Sequence, residues 1–200
     1  MLPGWLKVSQ ALDFAGGVHP HFRRERAMGL LSKTQIKQES RIRELSKGMK
    51  TQVHLALAMA VDAKLLVLDE PTLGLDLLAR RAFYDALVND YMDDTRTILI
   101  TTHQVEEVEN LLTHVMFINK GSIVLDTPVE EIASRYVAIS VHPDKLDAAR
   151  AANPFYTRPL MGKTIMYYDH APTPELLALG EPHTPTVADL FVAKLSPGAA

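Results

Sequence analysis

The 200-residue sequence contains no cysteine, which removes disulfide scaffolds, thiolate catalysis and cysteine-based zinc sites together. It has no long apolar run either. The longest, Val53 to Val61, is broken by His54 and falls far short of the roughly 20 residues that a membrane helix needs. No basic head precedes an apolar stretch of leader length at the start, because Lys7 interrupts it. No excess of positive charge is offered to nucleic acid, since 21 Lys+Arg face 24 Asp+Glu for a net charge of −3. Ten glycines and 12 prolines are too few for a collagenous or low-complexity chain. With 47% hydrophobic and 22% charged residues, the expectation is a soluble, intracellular globular chain of one domain, or one domain with an appendage.

What is present is unevenly placed. Residues 23–50 carry nine basic side chains against Glu25, Glu39 and Glu44, whereas residues 62–109 carry eleven acidic side chains against four basic ones. The basic run reads as a solvated helical face. No aromatic residue lies between Arg23 and Lys50, which argues against a stacking platform for single strands.

Helical periodicity marks Leu6 to Phe14, broken by Gly16-Gly17 and His19-Pro20, then Arg23 to Leu31, then a helix capped by Ser46 and reaching about Ala60. The period then changes. Leu65 to Leu68 is a short apolar run ending in Asp69-Glu70-Pro71, the pattern of a strand buried on both faces. A helix over Leu77 to Tyr91 and a second buried strand over Thr97 to Thr101 follow, then a helix over Val105 to Leu112. Strands at Val115 to Ile118 and Ile123 to Leu125 and a helix from Pro128 to Tyr136 come next. The alternation predicts a parallel sheet with crossover helices. Beyond Val137, strands at Ala138 to Val141 and Thr164 to Tyr168, a helix at Asp144 to Ala152, clustered prolines and a helix over Val187 to Leu195 predict a small α+β appendage.

In an open parallel sheet, functional groups gather at the carboxyl ends of strands. Two strands here end in Asp69-Glu70 and near His103. Adjacent carboxylates point in different directions, so one can hold a hydrated Mg²⁺ while the other faces an attacking water. The run Leu45-Ser46-Lys47-Gly48-Met49 sets a hydroxyl and a glycine at a helix N-terminus, where free N–H groups favour an anion. An ordinary cap or turn explains each of these taken alone.

Taken in order, they resemble the nucleotide-binding subunits of ATP-binding cassette (ABC) transporters. Leu45 to Met49 looks like the signature motif LSGGQ, with Lys47 and Met49 departing from its commonest form. Leu65 to Asp69 with Glu70 looks like the Walker B strand and catalytic glutamate, Leu73 to Asp76 like the D-loop, and Thr101-Thr102-His103 like the switch-histidine loop. The signature variant and the ending Asp189-Leu190-Phe191 look like exporter-type bacterial subunits.

The resemblance implies an α/β, P-loop NTPase-like cassette, incomplete at its N-terminus. Residues 1–136 would be its C-terminal part, with 1–60 the helical subdomain and signature helix, 61–136 the Walker B strand to the last core helix, and 137–200 an accessory region. It implies ATP and Mg²⁺ as ligands, sandwiched between two cassettes. Ser46 and Gly48 would touch the nucleotide on the partner, and Asp69 would hold Mg²⁺ through water. Glu70 would polarise the attacking water, His103 would contact the γ-phosphate, and Asp76 would link the two sites. It further implies a second nucleotide-binding subunit, identical or not, a separate transmembrane permease, no nucleic-acid partner, and a place on the cytoplasmic face of the membrane.

A P-loop needs Gly-x-x-x-x-Gly-Lys-Ser/Thr upstream of the Walker B strand, and nothing before Asp69 fits. Gly162-Lys163-Thr164 has the motif's last three residues, but Thr157 stands where its first glycine belongs, and Ile165 to Tyr168 favours a strand over the required helix. His19-Pro20-His21 reads as a turn, and His103 to Glu107 fails as an inverted zinc-protease motif because Glu107 stands where histidine is needed. Three functions follow: the energy-coupling ATPase of a transporter, a non-catalytic module donating Ser46 and Gly48 to a complete partner, and a DNA-associated cassette ATPase. The absence of a long coiled-coil insertion argues against the third.

Overall fold

The structure, a computed structural model, describes residues 2–196. The chain divides into two compact units, Met1–His103 and Gln104–Ala200.

In the first unit, α1 (Val8–Val18) opens where the Lys7 amide donates to Gln10 Oε1 at 2.9 Å. It runs through Gly16 and Gly17, which the sequence led us to expect as its end. Each glycine costs a helix only about 1 kcal/mol, whereas Pro20 drives the preceding His19 out of the helical region, to φ −108° and ψ 108°. Helices α2 (Arg24–Ser32) and α3 (Lys47–Met59) share a core of Val8, Leu12, Ala27, Leu31, Val53 and Ala56 with α1. Ser46 caps α3 as expected, its Oγ accepting the Met49 N–H at 3.1 Å.

Strands β1 (Leu65–Asp69) and β2 (Thr97–Thr101) pair in parallel, with Leu65 opposite Thr97 and Asp69 opposite Thr101. The expectation of strands buried on both faces is corrected here. Leu66 and Leu68 are covered, but Leu65, Val67 and Leu99 stay 55%, 56% and 51% exposed. Among the described residues this sheet has two strands, and β1 alternates exposed and buried positions along its length. Helix α4 (Leu77–Ala86) was expected to continue regularly to Tyr91. Instead residues 87–91 widen into a π-turn, and the Met92 N–H reaches the Leu87 carbonyl. The widening carries Tyr91 into the interior, where its hydroxyl lies 3.4 Å from the Ala63 carbonyl and Arg96 stacks on its ring.

The second unit opens with a single helical turn, α5 (Val105–Val108), extended by a 3₁₀ turn over Glu109–Leu111. Strands β3 (His114–Asn119) and β4 (Ser122–Pro128) form an antiparallel hairpin, not further members of a parallel sheet. Its turn places Lys120 and Gly121 at φ 48° and 80°, the backbone of a tight two-residue hairpin. Pro128 ends β4 and caps a 3₁₀ turn over Val129–Glu131 that α6 (Ile132–Arg135) continues, so the helical stretch expected from Pro128 to Tyr136 is present but divided. A four-stranded antiparallel sheet follows, ordered β6 (Tyr156–Leu160), β7 (Lys163–Tyr168), β5 (Val137–Val141), β8 (Gly180–His183). Helices α7 (Leu146–Ala151) and α8 (Pro174–Leu177) and the final α9 (Val187–Leu195) complete the unit. Ile139, Val141, Met166 and Tyr168 are buried with Ala149 and Leu176 on one face, and Ala138, Ile165 and Tyr167 on the other. Lys194 of α9 bonds Asp169 at 2.7 Å and lies 4.3 Å from the centre of the Phe155 ring, while Arg135 bonds the other Asp169 oxygen at 2.9 Å.

Candidate functional site

The parallel register brings the ends of β1 and β2 together, with Asp69 beside Thr101, whose hydroxyl donates to Asp69 Oδ1. One residue further, the Glu70 N–H donates to the Thr101 carbonyl at 2.9 Å, which keeps the two chains paired as they leave the sheet. Glu70 itself stands at φ 44°. A left-handed backbone at a residue bearing a long side chain costs about 1–3 kcal/mol and is held only where its surroundings fix it.

Glu70 Oε1 accepts from the His103 amide at 3.1 Å and lies 2.6 Å from His103 Nδ1, and Thr102 Oγ1 donates to Oε2 at 3.3 Å. An ionised carboxylate only accepts, so His103 Nδ1 carries the proton in this contact. The His103 ring is the largest influence holding the Glu70 carboxyl below its ordinary range. Burial pushes the other way, and the His103 amide and the Thr102 hydroxyl add to the lowering. Glu70 is thus an oriented, ionised base at neutral pH.

Asp69 is exposed and keeps an oxygen beyond the Thr101 bond. Among the described residues no three acidic or histidine side chains gather around a metal position. This donor set suits Mg²⁺, which keeps several waters and needs only one or two carboxylates beside phosphate oxygens.

Ser46 and Gly48 open α3, and Asp76 opens α4. Ser46 Oγ is occupied by its capping bond, and Asp76 caps α4 by accepting the Ala79 N–H at 2.9 Å. Between Glu70 and Asp76 the chain folds into a turn in which the Leu73 N–H reaches the Glu70 carbonyl and the Leu75 N–H reaches that of Thr72. The Gly74 carbonyl in this turn abuts Gly48. Sequence reasoning assigned no role to the Thr101 and Thr102 hydroxyls. Their position at the end of an apolar strand, with Thr101 in register with Asp69, was the available signal.

A family model described as "AAA domain, putative AbiEii toxin, Type IV TA system" matches residues 18–109. The ABC transporter ATP-binding protein YtrB of Bacillus subtilis is 30% identical over 132 residues, covering 66% of this chain and 45% of that protein. The Nod factor export ATP-binding protein I of Cupriavidus metallidurans is 34% identical over 146 residues, covering 70% and 48%. This chain is a relative of the ABC transporter ATP-binding proteins. A solved ATP-binding subunit of an ABC transporter shares its fold with a TM-score of 0.58 at 26% identity, over 66% of this chain and 57% of the other. The fold is therefore α/β and of the ABC cassette type, as expected. The chain spans about half the length of the curated ABC relatives it matches. Among its described residues no helix is long and apolar enough to cross a membrane.

Proposed function

We propose that this chain forms the signature-to-switch part of an ATP-hydrolysing cassette that powers a membrane ABC transporter. The observation that carries this reading is Glu70, held left-handed and ionised by His103 and Thr102 at the carboxyl end of a parallel strand pair. Glu70 acts as the group that polarises water. His103 orients it through Nδ1, and its Nε2 can donate to the terminal phosphate, which only accepts, when that nitrogen also carries a proton. Asp69 is the residue that would hold Mg²⁺ through water, and the ion would supply charge neutralisation on the phosphates. Ser46 and Gly48 present the first turn of α3 to a nucleotide carried by a second cassette, and Asp76 lies where the two cassettes meet. Chemistry of this kind is positioning and charge stabilisation. A permease partner and a place at the inner face of a membrane belong to this reading, and the relatives' names, a transporter and an export ATP-binding protein, support its transport role. Residues 1–136 act as the cassette portion and 137–200 as an accessory region.

Glu70→Gln, assayed in the chain assembled with a Walker A-bearing cassette, is expected to keep MgATP affinity and to lose turnover by about 100-fold or more. Near-normal turnover would remove Glu70 from the mechanism.

A second reading, that the chain is a non-catalytic donor of Ser46 and Gly48, is favoured by one observation. The sequence has no Gly-x-x-x-x-Gly-Lys-Ser/Thr, and Gly162-Lys163-Thr164 leads from a hairpin turn into β7, with Met161 and Gly162 at φ 47° and 80°. Calorimetry with MgATP decides between them. Tight one-site binding by this chain alone contradicts the donor role, whereas stimulation of an intact cassette's hydrolysis that survives Glu70→Gln supports it.

A further inference from the structure

Two glycines from different elements are interlocked at the start of α3. A Cβ placed on Gly48 would lie 2.9 Å from the Gly74 carbonyl oxygen and 3.9 Å from Leu75 Cα. In return, a Cβ placed on Gly74 would lie 3.3 Å from both Cδ and Cε of Lys47. The Gly74 carbonyl thus rests on bare backbone at Gly48, and the aliphatic stem of Lys47 rests on bare backbone at Gly74. Gly74 also stands at φ 86°, so the turn that makes this approach is one that glycine adopts without strain.

We propose that Gly48 and Lys47 are positioning residues that couple the first turn of α3 to the loop carrying Glu70. The route is short and made of backbone. Gly74 lies in a turn closed by the Leu75 N–H to the Thr72 carbonyl at 3.0 Å, and Leu73 is tied to the Glu70 carbonyl at 3.1 Å. The same loop ends at Asp76, which starts α4. Close-packed backbone cannot absorb a shift of α3 by compression, so a displacement at Gly48 is passed to the peptide that leaves Glu70. Gly48 is then required sterically inside its own chain, apart from any contact with nucleotide. The coupling itself stands on this packing; its consequence for hydrolysis rests on the function proposed above.

Amide hydrogen exchange on the whole chain, without nucleotide, tests the coupling directly. Gly48→Ala is expected to speed exchange at Leu73 and Leu75 by about fivefold or more, although alanine favours the helix that contains it. Gly29→Ala in α2, where an added Cβ meets nothing within 4 Å, is the control and should leave those two rates unchanged. Lys47 is exposed, so its variants keep the fold. Lys47→Ala should also speed exchange at Leu73 and Leu75, and Lys47→Met, which keeps the stem without the charge, should restore the original rates. The coupling is overturned if Gly48→Ala changes the two rates by less than about twofold, or if Lys47→Met behaves like Lys47→Ala. In the assembled cassette, Lys47→Ala should lower kcat with KM little changed, and Lys47→Met should recover it. Loosened exchange with unchanged kcat would keep the interlock and overturn its link to hydrolysis.

Discussion

Replacing Glu70 by alanine, glycine and glutamine in parallel separates the cost of its backbone from the worth of its side chain. Alanine removes the acceptor for the His103 amide, the His103 ring and the Thr102 hydroxyl. Bonds to a charged group are worth about 1.5–3 kcal/mol each when sheltered. Here the side chain is 30% exposed and water replaces part of what is lost, so the whole set is worth about 1–2 kcal/mol. Alanine also keeps the left-handed φ of 44°, and glycine relieves it. The glycine variant should therefore be about 1 kcal/mol more stable than the alanine variant, the reverse of the order at an ordinary helical or extended position. Glutamine keeps an oxygen for His103 and should lie within about 1 kcal/mol of the parent. Urea unfolding followed by circular dichroism at neutral pH gives the three midpoints. A glycine variant less stable than the alanine variant would mean that no strain is held at Glu70, and the inference from its backbone to its function would fail.

Three further outcomes are expected. Because the folded Glu70 carboxyl lies below its ordinary 4.5, its contribution is complete above that pH and is lost as pH falls through the lower folded value; the stability gap between the parent and Glu70→Gln should shrink on acidification, and a gap that widens would reverse the assignment. Gly180→Ala would bring a Cβ to 2.1 Å from the Ser140 carbonyl oxygen, so β8 must part from β5 at a cost of about 2 kcal/mol or more, and a melting temperature equal to the parent's would refute the close approach. Lys163→Ala should leave nucleotide affinity of the assembled cassette unchanged in calorimetry, because Lys163 opens a strand of a hairpin; a tenfold or larger loss would move the phosphate site to β6 and β7.

Legibility in the sequence followed how local the cause of each feature was. Ser46 as a cap, the two short apolar strands and the span of α9 were readable because a side chain or a run of aliphatic residues determines each one. The meeting of Asp69, Glu70 and His103 needed only the rule that parallel strands deliver their ends to one edge. Strands β6 and β8 are not announced by the sequence pattern, since each contains a proline, Pro159 or Pro182, yet each is an edge strand of its sheet, where a missing N–H is tolerated. The continuation of α1 through Gly16-Gly17 and the π-turn before Met92 depend on what lies beyond the local window: Pro20 for the first, the pocket for Tyr91 in the second. The fit of Lys47 on Gly74 is tertiary, and no spacing along the chain announces it.

The prolines of the C-terminal sheet bear on how this protein meets other chains. Strands β6 and β8 are its two borders, and each carries a proline in its ladder. A proline is accommodated at a border with its nitrogen turned outward, where it offers an incoming strand a ring instead of a donor. The central strands β5 and β7, with their runs of buried aliphatic and tyrosine side chains, are enclosed between these borders. Growth of the sheet by strand addition, whether into a paired subunit or into a fibril, therefore meets a missing donor at each border. Assembly through the described residues of this unit is therefore favoured at its helices and loops, where the contacts are side chains that substitution can map.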